Sequence, residues 1–242
     1  MAMSPEEFYV HAMHAADDQR RLPLARMAGW EVFPFERDGL RTVPLDPPVL
    51  PEPARRGEDA ADCPGCAGRG AETVWSDERW RLSVTRWAPG VPLILLLEAR
   101  AHHDLVDLPD DLAAELGLLT VRVARAVESL PHIARAHVSR WGDGSAHAHV
   151  FFFARPEGFP QLRGTCLALW DDLLPPVSVV QRDSDAAAVA RALTLSHGGR
   201  VYGRLPFDGR LLDGAVPAPR SPAAADGITA RRSPRAPGIA PG

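Results

Sequence analysis

The sequence predicts an α+β fold: an antiparallel sheet with one long helix on a face, an extended N-terminal segment and a disordered C-terminal tail. Three observations lead there. Residues 73–100 contain short apolar and alternating runs cut by turn residues. Residues 104–130 repeat apolar side chains at helical steps. Two more apolar stretches, 134–141 and 146–155, are joined by a glycine-rich loop. The order strand, strand, strand, helix, strand, strand does not suggest a doubly wound parallel sheet.

The elements follow in chain order. Residues 1–60 form an N-terminal extension in which Trp30, Phe33 and Phe35 suggest a short strand pinned to a core, before a connector carrying Pro44, Pro47, Pro48, Pro51 and Pro53. Proline at that density forbids helix and regular sheet. The stretch TVWSDERWRLSVTRW reads as two strands around Ser76, Asp77, Glu78 and Arg79, and Pro89-Gly90 then punctuates before the buried strand of VPLILLLEAR. Leu112, Leu116, Leu119, Val123, Val127 and Leu130 make one face of the long helix, with Pro109, Asp110 and Asp111 in its first turn. A second helix is expected over 184–196, stopped by Gly198 and Gly199. The domain is expected over 61–211, and 212–242, rich in proline and free of aromatics, reads as the disordered tail.

Composition excludes several chemistries. The chain has 242 residues and a formal charge of −4, which argues against a mainly electrostatic grip on nucleic acid. All 27 basic residues are arginine, so a P-loop lysine, a Schiff base or a Ser-Lys hydrolase is ruled out. No apolar run is long enough for a membrane span and the N-terminus has no signal core, so a cytoplasmic location is expected.

Two groups of residues carry candidate chemistry. Cys63-Pro64-Gly65-Cys66 brings two thiolates together on a tight turn, half of a tetrahedral zinc site. The other half must come from histidines or carboxylates, with His102, His103, His147 and His149 as candidates. Loosely paired thiols and a redox pair are the alternatives. His147 and His149, at the lip of the strand HAHVFFFAR, alternate and so share a face. Such a pair suits metal binding, or one ligand beside one nucleophile; hydrogen-bonded core histidines are the bland alternative. Cys166 reads as a small buried residue. Asp171 and Asp172 read as acids at a solvated helix start, and His11, His14, His132, His137 and His197 show no converging spacing.

Taken from Cys63 to Arg155, this order of CxxC, strand, Pro-Gly, buried strand, histidine, helix and HAHVFFFAR resembles the histidine-triad superfamily, including its galactose-1-phosphate uridylyltransferase branch. The resemblance implies a histidine-triad-like sheet and a covalent nucleotidyl-histidine formed on His149 as nucleophile. It implies that the backbone carbonyl of His147 orients His149. It also implies a structural zinc on Cys63, Cys66, His147 and His102, with His103 as the neighbouring choice. Gly144, the Ser145 hydroxyl and Arg140 would stabilise phosphate charge. The implied ligand is a nucleotide or nucleotide-sugar, with a homodimer possible.

The chain departs from the pattern at Phe151, where the superfamily carries a third histidine or a glutamine. A phenyl ring cannot donate to a phosphate oxygen. A register with Ser145, His147 and His149 as the three positions is the alternative, and a catalytically impaired binder of a nucleotide or partner is the second functional reading.

Overall fold

The structure is a computed structural model that describes residues 5–23, 29, 32–36, 39–67, 71–85 and 87–202. Six antiparallel strands form one sheet: β1 (Ala71–Ser76), β2 (Trp80–Thr85), β3 (Leu93–Ala99), β4 (Ile133–Ser139), β5 (His149–Pro156) and β6 (Arg200–Val201). Their spatial order is β4-β5-β3-β2-β1-β6. This is the α+β architecture expected from the sequence.

The β1–β2 hairpin closes where the turn residues predict. Asp77 Oδ1 accepts the amides of Arg79 at 2.8 Å and Trp80 at 2.6 Å, so one carboxylate satisfies the turn. Strand β3 enters the middle of the sheet with Leu93, Leu95, Leu97 and Ala99 all at 0% exposure, which explains its continuous apolar run.

One face is covered by two helices of equal length, α2 (Asp110–Glu128) and α4 (Val179–His197). Leu119, Val123 and Val127 of α2 and Ala186, Val189 and Leu193 of α4 pack there against Leu82, Leu95, Val150 and Phe152. Helix α4 starts five residues before the expected 184. Its first turn presents Val179 and Val180 to solvent and buries Arg182 instead, so no apolar stripe marks it. Arg182 is accommodated because Nη1 donates to the Thr85 carbonyl at 3.0 Å and Nη2 pairs with Asp183. The helix stops at Gly198, φ +93°, as expected.

The opposite face carries a smaller cluster of Val91, Ile94, Phe153, Leu162 and Leu167. Helix α3 (Leu167–Leu173) seats it. Asp171 does not sit at a solvated helix start; it lies near the end of α3 and its Oδ1 accepts the amides of Gly90 and Val91, each at 2.8 Å. Gly90 has a packing reason as well: a Cβ there would sit 2.4 Å from the Asp171 carbonyl oxygen.

The N-terminal extension contains a helix the sequence reading missed, α1 (Pro5–Met13). Val32 is buried and its carbonyl accepts from Trp170 Nε1 at 2.8 Å, while Phe33 and Phe35 meet edge to face. The segment is therefore pinned to the core by a hydrogen bond, and residues 32–36 form no strand. Trp30 and the expected tail at 212–242 lie outside the described residues. The proline connector is irregular apart from one isolated bridge between Arg21 and Pro44.

Candidate functional site

The CxxC turn follows a short 3-10 turn, Ala60–Asp62, capped by Asp59, whose side chain accepts the Ala61 amide at 2.9 Å. Two glycines permit the cysteines' approach to the sheet. Gly57 has φ +80°, and a Cβ there would lie 3.2 Å from Cys63 Sγ. A Cβ on Gly65 would lie 2.7 Å from the His147 ring. The Gly65 carbonyl accepts from Arg81 Nη2, and Arg81 Nε is held by Glu98 at 3.1 Å, so strand β2 fixes the knuckle.

Four side chains converge: Cys63, Cys66, His102 and His147, with ligand atoms all within 4.8 Å of one another. Cys63 Sγ is 3.3 Å from His147 Nδ1, and Cys66 Sγ is 3.3 Å from His102 Nδ1 and 3.8 Å from His147 Nδ1. Tetrahedral zinc with Zn–S near 2.3 Å and Zn–N near 2.1 Å requires donor atoms roughly 3.3–3.8 Å apart. Two sulfurs and two imidazole nitrogens at these separations fit that ion. His147 Nε2 donates to the Ala99 carbonyl at 2.8 Å, which leaves Nδ1 as the lone-pair nitrogen facing the sulfurs. Burial holds the His147 pKa below its ordinary value and keeps the ring neutral, while burial and the neighbouring Cys63 push the Cys66 thiol up. His103 serves differently: its carbonyl accepts the Ala148 amide at 2.6 Å.

His147 lies just before β5, not in it, because the regular strand begins at His149. The two residues are still coupled. His149 Nδ1 donates to the His147 carbonyl at 2.6 Å. His149 Nε2 lies 3.1 Å from the Trp141 carbonyl.

His149 lines a cavity of about 350 Å³ together with Glu98, Trp141, Gly144, Ser145 and Phe151. The Ser145 hydroxyl is buried and has no hydrogen-bond partner among the described residues. Phe151 stands on the His149 side of β5, its ring 5.4 Å from the imidazole and perpendicular to it. Trp141 is 49% exposed and packs on Phe151 and Phe153 at centroid distances of 5.6 and 5.7 Å. Arg140 is turned elsewhere than expected: its Nη2 pairs with Asp104 Oδ1 at 2.7 Å and it does not line this cavity. Asp104 is also paired with Arg55 at 2.9 Å, and Arg55 Nη1 donates to the Gly142 carbonyl at 3.0 Å. The Ala146 amide donates to the Arg56 carbonyl at 2.9 Å. The proline-rich connector thus clamps the loop that carries Gly144 and Ser145. Sequence reading missed Trp141, Asp104 and Arg55; no spacing rule links residues so far apart.

No protein-family model matches the chain, and no curated protein does. Solved structures do. Several of them are histidine-triad proteins. A zinc-bound histidine triad family protein from Mycobacterium smegmatis has 20% identity and a TM-score of 0.42 over 57% of this chain and 96% of that one. A HIT-like protein involved in cell-cycle regulation from Bartonella henselae has 14% identity and a TM-score of 0.43 over 58% of this chain and 100% of that one. A uridylyltransferase mutant has 17% identity and a TM-score of 0.37 over 64% of this chain and 56% of that one. Among the described residues, no helix is long and apolar enough to cross a membrane.

Proposed function

We propose that the protein is a histidine-triad-like nucleotide hydrolase or nucleotidyltransferase that works through a covalent nucleotidyl-histidine on His149. One observation carries this reading: the imidazole of His149 is locked through Nδ1 to the His147 carbonyl while its ring lines an open cavity. With its hydrogen held on Nδ1 by the His147 carbonyl, His149 would offer the Nε2 lone pair to phosphorus once that nitrogen turns from the Trp141 carbonyl, 3.1 Å away.

The step balances simply. Nε2 leaves the Trp141 carbonyl and forms a bond to phosphorus, and the phosphorus–oxygen or phosphorus–nitrogen bond to the leaving group breaks, its electron pair going to the departing atom, which takes a proton from solvent. Water or a second phosphate then takes the nucleotidyl group from His149. The Ser145 hydroxyl, buried without a partner among the described residues, and the Gly144 backbone line that cavity and are the donors for this task. Arg140 joins them only if it exchanges Asp104 for phosphate.

Cys63, Cys66, His102 and His147 are the residues that would hold zinc. The ion would be structural, tying the knuckle to the residue whose carbonyl orients His149. Intact-mass spectrometry after incubation with a panel of nucleoside diphosphates, nucleotide-sugars and nucleoside phosphoramidates tests the reading. A nucleotidyl adduct on His149 supports it; a clean negative across the panel counts against it.

Phe151 favours a second reading. It fills the position of the third histidine with a ring that donates nothing, consistent with a protein that binds a nucleotide or a partner without turnover. A nucleotide that raises thermal stability and stays intact distinguishes this case. A homodimer, if formed, has β4 available at the sheet edge with Val138 exposed beside it; light scattering tests that directly.

A further inference from the structure

Trp141 is the wall shared by two cavities. The second, of about 470 Å³, is bordered by His137, Ser139 and Arg140, by Trp141 and Phe153, and by Leu167. The β4–β5 register sets His137 opposite Phe153 and Ser139 opposite Phe151, so these side chains share one face of the sheet with His149.

Among the described residues, two nitrogens of side chains that line this cavity are buried without a hydrogen-bond partner, His137 Nε2 and Arg140 Nε. The guanidinium Nε–H is an obligatory donor, and the other end of that group is already taken by Asp104. Buried polar groups left unpaired are uncommon in native structures and mark places where a partner is missing. His137 is neutral: burial lowers its pKa, Arg155 adds to the effect, and Glu128 opposes it. Among the described residues no carboxylate lines the cavity. The aromatic walls, Trp141 and Phe153, offer a stacking face and a ring edge. The volume is that of a pocket for a small ligand.

We propose that this cavity receives a planar aromatic ring bearing an oxygen acceptor, the leaving group of the phosphate ester attacked by His149. The assignment to a leaving group rests on the reading of His149 given above. Trp141 borders both cavities, so a ring in the second would lie across that one side chain from a phosphate at His149. The aryl oxygen departs with the electron pair of its bond to phosphorus as Nε2 bonds to phosphorus, and it takes its proton from solvent.

The test uses 4-nitrobenzoate with the purified full chain, following the histidine ring nitrogens by NMR. His137 resonances shift saturably; His149→Ala binds as the parent does; and His137→Phe binds about tenfold more weakly, the cost of about one hydrogen bond. Should His137→Phe not fold, His137→Gln, which keeps both a donor and an acceptor, retains binding. An unshifted His137, or equal affinity in His137→Phe, overturns the proposal. The two readings fail separately. With 4-nitrophenyl 5′-thymidylate, the absence of an adduct on His149 while 4-nitrobenzoate still shifts His137 removes the nucleophile and keeps the aromatic site. An adduct on His149 with unchanged turnover in His137→Phe removes the aromatic site and keeps the nucleophile.

Discussion

His149 Nδ1 donates to the backbone carbonyl of His147 at 2.6 Å, and the ring of that same His147 faces both cysteine sulfurs. The Cys/His cluster and the candidate nucleophile are therefore separated by one residue, Ala148, in sequence and by one hydrogen bond in space. Anything that displaces His147 displaces the imidazole at 149.

Substituting the cluster should show this coupling. Cys63→Ser and His147→Ala are expected to lose bound zinc, measured by elemental analysis, and to lower the melting temperature. His103→Ala keeps the metal, because only its carbonyl is engaged near the site. Retention of stoichiometric zinc by His147→Ala would contradict the assignment.

Glycine positions separate packing from propensity. Gly65→Ala places a methyl 2.7 Å from the His147 ring, so it is expected to lower metal affinity at least as much as loss of an orienting contact, about tenfold or more. Gly117→Ala, exposed in the middle of α2 with nothing within 4 Å, gains about 0.5–1 kcal/mol by helix propensity. Chemical denaturation and metal competition read out the pair.

Phe151 is a point of gain, not loss. Phe151→His or Phe151→Gln returns a donor to the wall of the His149 cavity, and nucleotide turnover is expected to rise by about a hundredfold. Turnover that falls or stays level in both variants would place the phosphate away from this ring.

Asp171 tests the lower face. Burial raises its pKa, with Asp172 adding, against the opposing amides of Val91 and Gly90. A carboxyl whose folded pKa is raised contributes stability that is present below the unfolded value of 3.8 and lost as pH rises through the folded value. Asp171→Asn keeps an acceptor for Gly90 and Val91 without the charge, so it removes that pH slope and holds stability at neutral pH. Asp171→Ala leaves two amides unpaired and costs about 1–3 kcal/mol. Melting curves from pH 3 to pH 8, on the order of one scan per unit, decide it.

The sheet and α2 were readable because their apolar periods are clean: Leu119, Val123 and Val127 are all buried where the spacing puts them. The start of α4 was hidden because Arg182 occupies a buried position that periodicity assigns to an apolar residue. The CxxC and HAH motifs supplied Cys63, Cys66 and His147 as candidate ligands, since ligand type and spacing are local, whereas spacing left His102 as one of four candidate histidines and only the family resemblance implied it. The pairing of Arg140 with Asp104 was not readable, because Asp104 comes from a different loop and long-range ion pairs leave no local trace. Trp141 escaped notice because its contacts are made by a backbone carbonyl and by a ring packed tilted and edge-on against Phe151 and Phe153 of β5.

The most direct test of the account is zinc K-edge absorption of the purified full-length protein. Two sulfur scatterers near 2.3 Å and two imidazole nitrogens near 2.1 Å are expected, one zinc per chain. A shell of oxygen and nitrogen alone, or protein that folds with no zinc, would contradict it.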